Sequence, residues 1–132
     1  MRPHFATIFA LFFFFPPPSH TTMSFGTGVE FTSICREWRG KWSKDSDNAS
    51  LVEVNTLFNE TFLPTLKSIE GFEKIQRIVC GGCLDWKFII QFAADSFPGD
   101  DAVPGEEPFL AAADKIEGID SIETQTYTIT EL

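Results

Sequence analysis

Between Phe72 and Phe92 apolar and polar residues alternate in two successive stretches, interrupted by Cys80-Gly-Gly-Cys83. Alternation sends successive side chains to opposite faces of a strand. In the second stretch, Cys83 to Phe92, it sets Trp86, Phe88 and Ile90 against Lys87, Ile89 and Gln91. Gly81-Gly82 suits a two-residue hairpin connection, because primed turns need positive φ at one or both central residues. A lone hairpin is marginal in water. The remaining chain must therefore supply partners that cover Trp86, Phe88 and Ile90.

Glu30 to Trp38 is rich in β-formers and reads as a first strand that could run on to Trp42. Ser43 to Asn48 is a polar break in which Asp45 or Asp47 could cap a following helix. From Ala49 to Ile69, apolar residues recur at Leu51, Val54, Phe58, Phe62, Leu66 and Ile69, the helical spacing. Pro64 should kink or divide that helix, and Gly71 should end it. Ser96 to Pro108 reads as a loop. Glu107 to Glu117 reads as a short helix with Phe109, Leu110, Ala113 and Ile116 on one side. Ile119 to Ile129 reads as a closing strand, with Ile122, Thr124, Thr126 and Thr128 on one face and Tyr127 on the other. The order β-α-β-β-α-β predicts an α+β, ferredoxin-like sandwich, a four-stranded antiparallel sheet with two helices on one face. The second face must be solvated, covered or used for binding. Phe and Ile on both sides of the third strand point to an interface there.

Length supports one domain in 132 residues. Residues 1–22 stand apart as an apolar leader or a spurious N-terminal extension. Phe5 to Phe15 is too short to span a bilayer, and it resembles a secretory signal without a small-residue cleavage site. Met23 would serve as the working start if the extension is spurious, which leaves residues 23–132 as the domain. The net charge is −9, and residues 95–132 carry ten acids against Lys115 alone. An acidic chain of pI about 4.5 argues against nucleic acid as a partner. No membrane partner is expected either. Three cysteines leave one unpaired, which favours a reducing, cytoplasmic setting.

Candidate chemistry is sparse. Cys80 and Cys83 admit three readings: small apolar residues at a glycine turn, a redox pair, or half of a metal site with Cys35 as a third ligand. They bracket an expected hairpin turn, so neither thiol gains a helix N-terminus. Both histidines, His4 and His20, lie in the leader, and Glu37, Glu53 and Asp85 read as surface carboxylates. Asp100, Asp101, Glu106 and Glu107 read as loop acids without calcium-loop spacing. Phosphate-cradling glycine motifs are missing, so no cofactor is expected. Trp38, Trp42 and Trp86 read as core or sheet-face residues, with an interface role as the alternative.

The stretch Trp42-Ser-Lys-Asp45-Ser-Asp47-Asn-Ala49-Ser-Leu51 resembles the strand-to-helix passage of the guanine-nucleotide-exchange domain of elongation factor 1-beta. The Gly81-Gly82 turn and the chain's end soon after the fourth strand agree with that family. The resemblance implies a translation-elongation exchange module without catalytic side chains, acting on an elongation factor 1-alpha-like GTPase by protein–protein contact. Its partner-binding residues would be Trp42, Gly81, Gly82, Trp86, Lys87 and Glu131. Gly81 replaces the family's aromatic residue, and Glu131 reverses the charge of its terminal basic residue. The layout is also similar to the dimeric α/β-barrel superfamily, of stress-responsive and small cyclase or monooxygenase type. That resemblance implies a homodimer through the free sheet face, with a small apolar molecule bound near Trp86 and Phe88.

Overall fold

A computed structural model describes residues 21–132; the leader expectation lies, apart from Thr21 and Thr22, outside the described residues. The described residues open with a short hairpin of β1 (Met23–Gly26) and β2 (Val29–Phe31). The main sheet follows as β3 (Ser33–Lys41), β4 (Phe72–Val79), β5 (Asp85–Ala93) and β6 (Asp120–Thr128), in the spatial order β4-β5-β3-β6. All three pairings are antiparallel. With the helices between β3 and β4 and between β5 and β6, this is the expected ferredoxin-like α+β arrangement.

The helical segment after β3 has three parts. In α1 (Asp45–Leu57), Ser46, Asp47 and Asn48 take left-handed φ values of 54°, 59° and 63°, so regular helix begins at Ala49. Short polar side chains tolerate that conformation best. Neither Asp45 nor Asp47 caps the helix; the Ser43 hydroxyl accepts from the Asp45 N–H at 3.1 Å. A widened turn, Phe58–Phe62, then separates α1 from α2 (Leu63–Lys67), which carries Pro64 in its first turn. Proline offers no N–H and crowds the carbonyl four residues back, so the helix divides there. Val54, Phe58, Phe62 and Leu66 all reach the core, as their spacing predicts.

That core is aromatic. Phe58 stacks on Phe88 at 3.8 Å between centroids, and Trp38 stacks on Phe109 at 4.9 Å. Phe109 belongs to α3 (Glu106–Asp114), and its ring also meets Phe58, Phe62, Trp86 and Phe88. Each such pair adds about 0.5–1.5 kcal/mol beyond burial. Gly40 lets Trp86 lie on the sheet, since a Cβ there would sit 2.6 Å from the indole.

One turn differs from expectation. The β4–β5 connection spans five residues, Cys80 to Leu84, and positive φ falls on Leu84 (61°) rather than on Gly81 or Gly82. A Cys80–Cys83 disulfide closes the loop, and the Cys80 N–H donates to the Asp85 carbonyl at 2.9 Å. That cross-link holds the bend that the glycines were expected to make. Among the described residues, no helix is long and apolar enough to cross a membrane.

Candidate functional site

β3 places alternate residues on opposite sides of the sheet, and the helix side carries Arg36 next to Trp38. Arginine here needs an acid, and the first turn of α3 supplies Glu106. Arg36 Nε donates to Glu106 Oε1 at 2.7 Å, and Trp38 Nε1 donates to the same oxygen at 2.9 Å. The two guanidinium Nη atoms donate to Thr126 (2.8 Å) and Thr124 (2.9 Å) on β6. Thr126 in turn donates to Asp100 at 2.6 Å. The side chains of Arg36 and Glu106 are 10% and 9% exposed.

This pair forms the floor of a cleft of about 430 Å³ between β6, α3 and the preceding loop, whose walls include Val103, Leu110 and Asp100. A buried ion pair is seldom worth more than apolar residues of the same volume. Stability therefore does not explain it. With both donors on Oε1, the second Glu106 oxygen can accept from a molecule in the cleft.

The outer sheet face carries a second polar group. Cys35 is fully buried and stands opposite Gln91 and Tyr127. The Tyr127 hydroxyl donates to Glu37 Oε1 at 2.8 Å, while Glu37 Oε2 is buried without a hydrogen bond, 3.5 Å from Arg39 Nη1. Burial, helped by the charge of Glu73, pushes the Cys35 thiol up to about 11. Burial and the bond to Glu37 raise the Tyr127 hydroxyl above its usual value.

The residues singled out from sequence are scattered. Trp42 and Trp86 are buried, their indole N–H groups donating to the carbonyls of Asp85 and Lys41. Trp86 and Phe88 pack inside the core instead of lining a pocket. Gly81 and Gly82 are exposed at the sheet end where Lys41 opposes Asp85, and Lys87 is half-buried nearby on β5. Glu131 follows β6 at the other end, where Thr128 opposes Ile34. Roughly 25 Å of strand, at about 3.3 Å per residue, separates these ends. Glu37 and Glu106, read as surface and loop acids, are 3% and 7% exposed. Arg36 and Glu106 were missed as a pair; an arginine two residues before Trp38 on an apolar strand face was the one signal.

No protein-family model matches the chain, and no curated protein matches it in sequence. Solved structures do. A monooxygenase from the gene ActVA-Orf6 of Streptomyces coelicolor, in complex with nanaomycin D, aligns over 76% of this chain and 90% of that one, with 9% identity and a TM-score of 0.59. SnoaB, a cofactor-independent oxygenase from Streptomyces nogalater (a mutant form), aligns over 76% and 96%, with 16% identity and a TM-score of 0.55. Rv0793 from Mycobacterium tuberculosis aligns over 76% and 98%, with 6% identity and a TM-score of 0.51. At these identities the likeness is one of fold. None of these three is an exchange factor, and the elongation factor 1-beta resemblance is overturned. Nucleotide exchange, a translation-elongation role and an elongation factor 1-alpha-like partner fall with it.

Proposed function

We propose that this chain is a small-molecule-binding protein of the dimeric α/β-barrel type, its ligand held in the cleft beside Arg36 and Glu106. The observation that carries the reading is the buried Arg36–Glu106 pair at the floor of an open cleft. Apolar walls at Val103 and Leu110 suit an apolar body, and the free Glu106 oxygen suits a hydroxyl donor. The ligand class is therefore a small, partly apolar molecule bearing a hydroxyl, such as a phenol or hydroxyquinone. The Streptomyces coelicolor monooxygenase of this fold was solved with a ligand, nanaomycin D, which supports a ligand-binding reading. A second copy covers the outer sheet face. The working unit is residues 23–132.

Trp38 reports on the site because its N–H is tied to Glu106. Titrating the full chain with hydroxynaphthoquinones should quench tryptophan fluorescence saturably, and light scattering should give twice the 14.8 kDa chain mass. Binding should weaken at least tenfold in Glu106→Leu/Arg36→Met, as expected on losing one charge-assisted hydrogen bond of about 1.5–3 kcal/mol. A monomer without saturable binding refutes the reading.

A further inference from the structure

We infer that the Cys80–Cys83 disulfide is a directional thiol-exchange site, attacked at Cys83 and opening toward Cys80. The loop stands out from the sheet end, with Cys83 exposed and Cys80 half-buried. A Cβ on Gly81 or Gly82 would meet nothing within 4 Å, so the turn beside the disulfide is open. The two sulfurs differ in surroundings. The Cys83 N–H donates to Cys80 Sγ at 3.0 Å, a bond that strengthens when negative charge develops there. Cys83 Sγ lies 3.4 Å from Asp85 Oδ2, a carboxylate that disfavours a second negative charge beside it. Cys80 is therefore the better leaving group.

Lys41 limits the repulsion that Asp85 would exert on an arriving thiolate. Its ammonium pairs with Asp85 at 2.6 Å and donates to the Cys83 carbonyl at 2.9 Å. The hydrogen bond to Lys41 also holds the Asp85 carboxyl below its usual range.

The reaction takes a small thiol of the glutathione class. Its thiolate bonds to Cys83 Sγ, the Cys80–Cys83 bond breaks, and the electron pair leaves on Cys80 Sγ. A second thiolate then bonds to the first small-molecule sulfur and releases Cys83. In sum, two small thiols are oxidised to one disulfide, and the protein disulfide is reduced to two thiols.

Brief exposure of the oxidised full chain to glutathione, quenching with iodoacetamide and peptide mass spectrometry test this. Glutathione should be found on Cys83 over Cys80 by about tenfold, the discrimination of one charge-assisted hydrogen bond. Carbamidomethyl should be found on Cys80, and Cys35, fully buried, should stay unlabelled. Asp85→Asn should reduce the preference several-fold, and concentrated guanidinium should abolish it. An equal or reversed distribution overturns the proposal, as does a native chain that forms no adduct. A preference that survives denaturation, or one that Asp85→Asn leaves unchanged, does so too, since neither would arise from the folded loop. None of these outcomes depends on the cleft or on dimerisation.

Discussion

Glu106→Ala should be among the costliest single substitutions on the cleft. Removing one partner of a buried ion pair costs about 3–5 kcal/mol, because the other charge stays in a dry site. Arg36 retains part of its solvation: Thr124 and Thr126 still accept from its Nη atoms, and Asp100 lies 3.8 Å away. The ion-pair loss therefore falls near the lower end. Two further losses add to it. The buried Trp38 N–H loses its acceptor, worth about 1–3 kcal/mol, and α3 loses a carboxylate in its first turn, worth about 0.3–1 kcal/mol. The total is about 4–7 kcal/mol, a large share of the roughly 5–15 kcal/mol that holds a domain together. Urea denaturation followed by circular dichroism measures it, with the slope checked for constancy. The companion Arg36→Met/Glu106→Leu removes both charges and should recover about 3 kcal/mol, the ion-pair share, since an apolar replacement of the whole pair is close to neutral. A single variant that loses under about 1 kcal/mol would refute this account. So would a double variant no more stable than the single one.

Gly40→Ala should cost about 1–3 kcal/mol by overpacking against Trp86, whereas Gly82→Ala, with open space around it, should stay within about 0.5 kcal/mol; denaturation midpoints decide. Stability should fall as pH rises from about 9.0 to about 11, because the unfolded Cys35 thiol ionises there while the folded one keeps its proton. That slope should be shallower in Cys35→Val, and an identical slope in the two proteins would exclude Cys35 as its source. Ile89→Asp places a charge in the middle of the outer sheet face, opposite Glu37. Light scattering should then give a monomer with an unchanged far-ultraviolet spectrum, and a persisting dimer would move the interface elsewhere.

The main sheet and helices were legible because their burial is periodic. Val54, Phe58, Phe62 and Leu66 mark one helix face, and Trp86, Phe88, Ile90 and Phe92 mark one strand face. The β1–β2 hairpin was not legible: its strands are four and three residues long, and Phe25, at 72% exposure, gives no burial signal. The cleft was hidden for another reason. Arg36 and Glu106 lie 70 positions apart, and nothing local in either segment announces that one neutralises the other. Glu37 is buried because Tyr127, 90 positions away, leans over it. The Cys80-Gly-Gly-Cys83 motif was conspicuous, yet the disulfide decided the length of its turn.

The five rings around Phe109 carry a consequence for motion. A nine-residue helix such as α3 is too short to persist alone, so its docking depends on its buried residues, Phe109 foremost, together with Ala113 and the bonds to Glu106. Glu106 and Leu110, which line the cleft, lie within one turn of it. The α3 side of the cleft therefore cannot swing open while the ring cluster stays closed, and the helix's hydrogen-bonded amides should exchange with deuterium only when the interior itself opens. On the proposed function, a small molecule would meet a fixed shape there, its selectivity set by the rigidity of the phenylalanines behind the wall.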